Sequence, residues 1–177
     1  NPADDVEARA AVKAAIEMEG PVYLRFGRLA APIFNDPETY QFEIGKGITL
    51  REGKDVTLVA TGLMVSEALD AAEQLAAEGI SARVLNIHTI KPLDVDLIAK
   101  AAAETGLLIT VEEHSIIGGL GAAVAEAVCD TCPVPVVRIG VNDEYGHSGP
   151  AVDLLKEFGL CAEHIVEVTK ASMAKKA

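Results

Sequence analysis

Tryptophan is absent and only 4% of the residues are aromatic, so the chain has no platform on which nucleic-acid bases could stack. Positive charge is also scarce. Fifteen Lys and Arg stand against 27 Asp and Glu, a formal charge of −12, and no basic face offsets it, which argues against nucleic acid as a partner. There are three cysteines, an odd number that fits a reducing cytoplasm better than a disulfide framework. No apolar run approaches ~20 residues, which argues against a transmembrane helix. The opening stretch NPADDVEARA has no basic region followed by an apolar one, so it does not read as a signal peptide. These absences predict a cytoplasmic protein with neither a membrane nor a nucleic-acid partner.

What the chain has in quantity is aliphatic residues. Half of its 177 residues are hydrophobic, enough for the core of one ordinary domain, or of one domain plus part of another. From Asp55 onward strands and helices alternate. Residues 56–60 read as a strand, and Gly62 begins a turn into a helix over 65–78, closed by Gly79. Residues 82–87 form a strand that is apolar on both faces, as a buried parallel strand should be. Asp94 is placed to cap a helix over 95–104, which Gly106 closes. A third strand over 107–111, a helix over 122–128, a fourth strand over 134–139 and helices over 150–158 and 162–174 complete the series. Such alternation with short loops means parallel strands joined by crossover helices. The expected fold is therefore α/β: a three-layer α/β/α sandwich around a mostly parallel five-stranded sheet, with residues 48–50 as one antiparallel edge strand.

The first residues do not belong to that series. Asp4 is a plausible N-cap and Glu7, three residues later, its capping-box partner. The helix continues over 8–19 until Gly20-Pro21 ends it, and residues 22–26 read as a short strand. One helix and one strand cannot make a core, so residues 1–31 are expected to finish a domain whose earlier part lies outside them. Residues 32–47, with two prolines and no clean period, read as linker, and 48–177 as the second domain.

Four features could carry chemistry. His88, Thr89 and Lys91 follow the strand over 82–87, at the carboxyl edge where open α/β sheets bind ligands. They could hold an anion, or His88 could simply close the strand while Lys91 is solvated. Gly118, Gly119 and Gly121 precede a helix, where glycines admit anions to free N–H groups. Their spacing is wrong for a dinucleotide fingerprint, so close helix packing is the better reading. Cys129 and Cys132 follow a helix instead of starting one, where the dipole would raise a thiol's pKa, and no further ligands complete a zinc site. The polar loop over 142–150 could line a site or a subunit contact, but His147 and Ser148, as neighbours in sequence, do not form a nucleophile–base pair.

Five phrases add up to a resemblance: GPVYLRFGR over 20–28, DVTLVATG over 55–62, LNIHTIKPLD over 85–94, VEEHSIIGGLG over 111–121 and YGHSG over 145–149. Together they resemble the C-terminal section of a transketolase, of the split kind made from two chains, and the likeness runs nearly end to end. It extends to 1-deoxyxylulose-5-phosphate synthase and to the β chains of 2-oxoacid dehydrogenases. His88 fits the transketolase group better than the synthase, which carries Arg there.

The resemblance implies a transferase of the pentose phosphate pathway that moves two-carbon ketol units between sugar phosphates. The complete enzyme would use thiamine diphosphate with a divalent metal such as Mg. Residues 1–31 would be the last helix and strand of its pyrimidine-binding domain and 48–177 its C-terminal domain. The metal-binding Gly-Asp-Gly motif and the glutamate that activates the aminopyrimidine do not occur here. The resemblance thus implies no catalytic, cofactor-binding or metal-binding residue in this chain, no cofactor bound to it and no activity from it alone. It places an arginine on the substrate phosphate from the motif holding Arg25 and Arg28, and gives His88 a similar phosphate role, although an imidazole and a guanidinium fork are unlike anion ligands. Implied partners are an N-terminal transketolase section or subunit, a homodimer-type assembly and sugar phosphates. As in dehydrogenase β chains, the same domain could instead dock a partner protein.

Overall fold

Every residue of the strand Val56–Ala60 is buried, and so is every residue of its neighbour Ala82–Asn86. The computed structural model, which describes residues 1–176, explains why two such runs are apolar throughout. Five strands lie in one sheet: β1 (Ile48–Arg51), β2 (Val56–Ala60), β3 (Ala82–Asn86), β4 (Leu108–Ser115) and β5 (Val136–Val141), in the order β1-β3-β2-β4-β5. β2 pairs parallel with β3 and β4, β4 parallel with β5, and β1 antiparallel with β3. Helices α2 (Met64–Ala77) and α6 (Ala162–Lys176) cover one face, and α3 (Val95–Thr105) and α4 (Leu120–Thr131) the other. Period two sends Val56, Leu58 and Ala60 into the first layer and Val59 into the second. Both faces of the sheet are therefore dry, and each fully buried Leu or Ile adds about 1.5–3 kcal/mol of burial free energy. The three-layer sandwich and its antiparallel edge are as expected.

The ends of several elements differ from expectation. β4 continues to Ser115, so Glu112, Glu113 and His114 are strand residues. β5 begins only at Val136, because Pro133 and Pro135 have no N–H to give a ladder. α4 is longer at both ends than its apolar pattern suggests. Residues 22–26 form no strand. A strand exists only as one side of a ladder, and among the described residues no other segment pairs with this one.

The first helix, α1 (Asp5–Glu17), is capped by Asp4, whose side chain accepts from Glu7 N. The return bond of the expected capping box is displaced by one residue: Glu7 Oε2 accepts from Ala3 N at 2.6 Å, not from Asp4 N. Residues 32–47 hold no helix or strand, yet they are pinned. Asp4 accepts from Phe34 N and Asn35 N at 3.2 and 2.9 Å, and Asp94 accepts from Gly47 N at 3.0 Å. A Cβ on Gly47 would lie 2.6 Å from Ile87 and 2.7 Å from Leu97, so glycine is what lets the linker close onto β3. The short α5 (Ala151–Glu157) buries none of its residues.

Asp94 also caps α3, accepting from Leu97 N at 3.2 Å, so one carboxylate fastens both the linker and a core helix. Asp94→Ala should lower stability by about 1–2 kcal/mol, read as a lower urea midpoint at unchanged slope.

Candidate functional site

The carboxyl edge of the sheet gathers the residues singled out by sequence. His88 lies two residues beyond β3 and is 3% exposed. Its Nδ1 is 2.8 Å from Thr89 Oγ1, and its ring lies 4.3 Å from that of Phe42 in the linker. Nε2 is sealed from solvent with no partner among the described residues. Burial pushes the imidazole down to about 4, so His88 is neutral at physiological pH. A neutral imidazole can offer an anion one hydrogen bond and no charge. Lys91 is exposed beside it. Arg25, His88 and Lys91 line one cleft of about 400 Å³, whose other walls are mostly apolar.

Segment 20–28 crosses this edge. Arg25 is half-buried and committed, since its Nη1 donates to Glu113 O at 3.0 Å. With the Asn1 amide in the orientation its neighbours satisfy, its nitrogen donates to Arg25 O at 3.2 Å and its oxygen accepts from Arg25 Nη2 at 2.8 Å. Arg28 differs. It is exposed, and among the described residues its guanidinium has no hydrogen bond or ion pair. It lines a second hollow of about 560 Å³ with Glu113, Gly149 and Phe158. The structure thus brings Arg25 and His88 together and sets Arg28 apart.

The glycine run is already occupied. Glu112, 1% exposed, accepts from Leu120 N at 2.7 Å and Gly121 N at 2.8 Å, filling the N-terminus of α4 with its own carboxylate. Gly119 is required because a Cβ there would stand 2.0 Å from Glu112 Oε2. Cys129 and Cys132 are free thiols at the C-terminal end of α4. His147 turns to Glu157, 3.1 Å from its Oε1, and not toward Ser148. Among the described residues no three His, Cys, Asp or Glu gather as metal ligands, and no helix is long and apolar enough to cross a membrane.

Sequence reasoning missed a buried cluster around Glu7, which is 0% exposed. Its Oε1 accepts from Tyr40 Oη in the linker and, at 2.8 Å, from Asn86 Nδ2 at the end of β3. Glu7 was visible as a capping residue, but partners 33 and 79 positions away leave no local trace.

Two outcomes test this geometry. Gly119→Ala should expel the Glu112 carboxylate and cost about 2 kcal/mol or more, since two charge-assisted bonds are lost from a buried group, measured by denaturant unfolding. His88 is depressed when folded, so the unfolded chain takes up its proton first as pH falls. Its stabilising contribution is whole above about 6.5 and is lost toward about 4. His88→Gln should therefore flatten the fall in unfolding free energy between pH 7 and 5, by up to one proton's worth of slope.

Comparison with known proteins places this geometry in a family. Residues 45–165 match the family model described as transketolase, C-terminal domain, and the chain belongs to that family. It is 48% identical over 165 residues to the 6-deoxy-6-sulfo-D-fructose transketolase subunit of Clostridium sp. (strain MSTE9), covering 93% of this chain and 51% of that protein. It is 44% identical to a subunit of the apulose-4-phosphate transketolase of Phocaeicola vulgatus (strain ATCC 8482 / DSM 1447 / JCM 5826 / CCUG 4940 / NBRC 14291 / NCTC 11154), covering 93% of this chain and 52% of that one. A 1-deoxy-D-xylulose-5-phosphate synthase of Heliobacterium modesticaldum (strain ATCC 51547 / Ice1) is 42% identical over 96% of this chain and 26% of its own. A solved structure described as "Split gene transketolase, inactive beta4 tetramer" superposes with a TM-score of 0.94 at 48% identity, covering 98% of this chain and 56% of that one. The chain spans about half the length of the transketolase subunits it matches.

Proposed function

We propose that this chain is the C-terminal section of a split-type transketolase, which moves two-carbon ketol units between sugar phosphates in the cytoplasm. The observation that carries the reading is the uncommitted guanidinium of Arg28, presented on segment 20–28 at the carboxyl edge of the sheet. A planar fork with no partner among the described residues suits a phosphate bound in two-pronged fashion. Arg25, whose Nη1 and Nη2 donate to Glu113 O and the Asn1 amide, is the anchor that holds the segment.

The residues present do not fit thiamine diphosphate. No ligand cluster gathers for its metal among the described residues, and the glycine-rich start of α4 is filled by a carboxylate, which would repel a diphosphate. The cofactor and a divalent metal such as Mg would be held by an N-terminal section or subunit. This chain then binds and orients substrate and completes the assembly, and is inactive alone. Its docking face is supported by apolar side chains left open near segment 20–28, among them Ile16 at 78%, Tyr23 at 86% and Phe26 at 51% exposure. Pairing of two such two-chain units into a homodimer-type assembly is part of the same proposal. The likeness to the synthase supports a second reading, in which pyruvate and glyceraldehyde 3-phosphate replace the sugar pair.

The test is reconstitution with the N-terminal section, thiamine diphosphate and Mg²⁺, assaying xylulose 5-phosphate with ribose 5-phosphate against pyruvate with glyceraldehyde 3-phosphate. Turnover of the first pair by the two sections, and by neither alone, is expected. No turnover of that pair would overturn the assignment. In the active complex Arg28→Ala should raise KM for ribose 5-phosphate about 10-fold or more, ~1.4 kcal/mol. Arg25→Ala should raise it less while lowering the melting temperature. Equal, small effects would remove both from the site.

A further inference from the structure

The helix that leads into the arginine segment is held to the sheet mainly by polar groups. α1 buries only Glu7 and Ala11; Val12, Ile16 and Met18 are exposed. A helix attached through so little apolar surface owes its placement to its hydrogen bonds. Three of those bonds converge on one side chain, beside the two that Asp4 accepts from Phe34 N and Asn35 N and the one that Asn1 N donates to His88 O at 2.9 Å. Glu7 Oε1 takes Tyr40 Oη and Asn86 Nδ2, while Oε2 takes Ala3 N. Asn86 ends β3, two residues before His88, so the carboxylate is fixed to the strand that carries the sheet edge.

The connection continues in the other direction. Ala3 is held by Glu7, and two residues earlier the Asn1 amide grips both the backbone oxygen and the guanidinium of Arg25 and meets Thr61 Oγ1 at 3.2 Å. Arg25 closes the path on Glu113 O of β4. One contiguous line thus runs from β3 and the linker through Glu7, Ala3, Asn1 and Arg25 to β4. Arg28 lies three residues beyond its end. Burial pushes the Glu7 carboxyl up, against the opposing pull of its three donors. Keeping such a group costs free energy that an apolar side chain would not.

We propose that Glu7 is a positioning residue: its buried carboxylate sets where the arginine segment lies over the sheet edge, and so where Arg28 meets the anionic end of the substrate. The proposal rests on the transketolase reading of the chain and adds the residue that fixes the geometry. Glu7→Gln keeps the size but confronts three donors with one oxygen and one NH₂, so at least one contact breaks. Displacement of a substrate-holding group by even a fraction of a bond length is felt in substrate affinity. An acceptor that lacks the anion does not sense it.

The experiment uses the reconstituted enzyme with thiamine diphosphate and Mg²⁺, comparing Glu7→Gln and Tyr40→Phe with the unaltered chain. Ribose 5-phosphate and glycolaldehyde, which has no phosphate, serve as acceptors, and hydrogen–deuterium exchange follows the amides of residues 20–28. The expected result is a KM for ribose 5-phosphate raised about threefold or more in both variants. The kcat, and both constants for glycolaldehyde, should stay within about twofold, with faster exchange at 20–28. Tyr40→Phe removes one donor and no volume of note, and keeps the proposal open to refutation if Glu7→Gln does not fold. Unchanged KM for ribose 5-phosphate overturns it, and so does an equal change for both acceptors, which marks ordinary destabilisation. If the unaltered enzyme turns over neither acceptor, the transketolase reading fails by itself. The exchange measurement then decides alone whether Glu7 positions the arginine segment, and unchanged protection at 20–28 overturns it.

Discussion

A parallel sheet whose two faces are both covered leaves only its ends for binding, and that constraint organises this molecule. Helices α2 and α6 seal one side and α3 and α4 the other, so β2 and β3 have no solvent-facing residue to offer. Everything polar must be delivered where the strands stop. The carboxyl ends of β2, β3 and β4 do this with Thr61, His88 and Glu113, and segment 20–28 is laid across them. The site is a seam between two pieces of chain, and neither piece contains it alone.

Carboxylates do the joining. Asp94 fastens the linker to α3, Asp4 fastens the linker to α1, Glu7 fastens α1 to β3, and Glu112 closes the start of α4. Each accepts from two or more donors, the arrangement that makes a buried or partly buried carboxylate tolerable. A chain with a large surplus of acidic residues thus commits several of its negative charges to backbone N–H groups inside the fold. Asp55 and Glu67 do the same, accepting from Ser81 N and Ala162 N. The formal charge taken from composition overstates what a partner would meet at these joints.

Much of the fold was legible because its signals are local. Val56–Ala60 and Ala82–Asn86 announce themselves by composition, Asp94 and Gly106 bracket α3, and the antiparallel edge follows from a short run before the first turn. What stayed hidden depends on partners far along the chain. Residues 22–26 have strand composition, but a strand needs a neighbour that composition cannot supply. Glu7 carries a capping signature whose real partners are Tyr40 and Asn86. His88 reads as a titratable donor at a binding edge, whereas Phe42 from the linker buries it into neutrality. Arg25 and Arg28, equivalent in sequence, separate only when Glu113 and Asn1 are seen to claim one of them.

The unpaired run at residues 22–26 has a consequence for the life of the chain in a cell. Its backbone N–H and C=O groups point at no ladder, and Val22, Tyr23 and Phe26 stand open beside them. Such an edge accepts any extended segment that offers itself, a copy of the same run included. Left uncovered, such a run is a place where like molecules stick to one another. That liability is written in five residues that form no strand of their own.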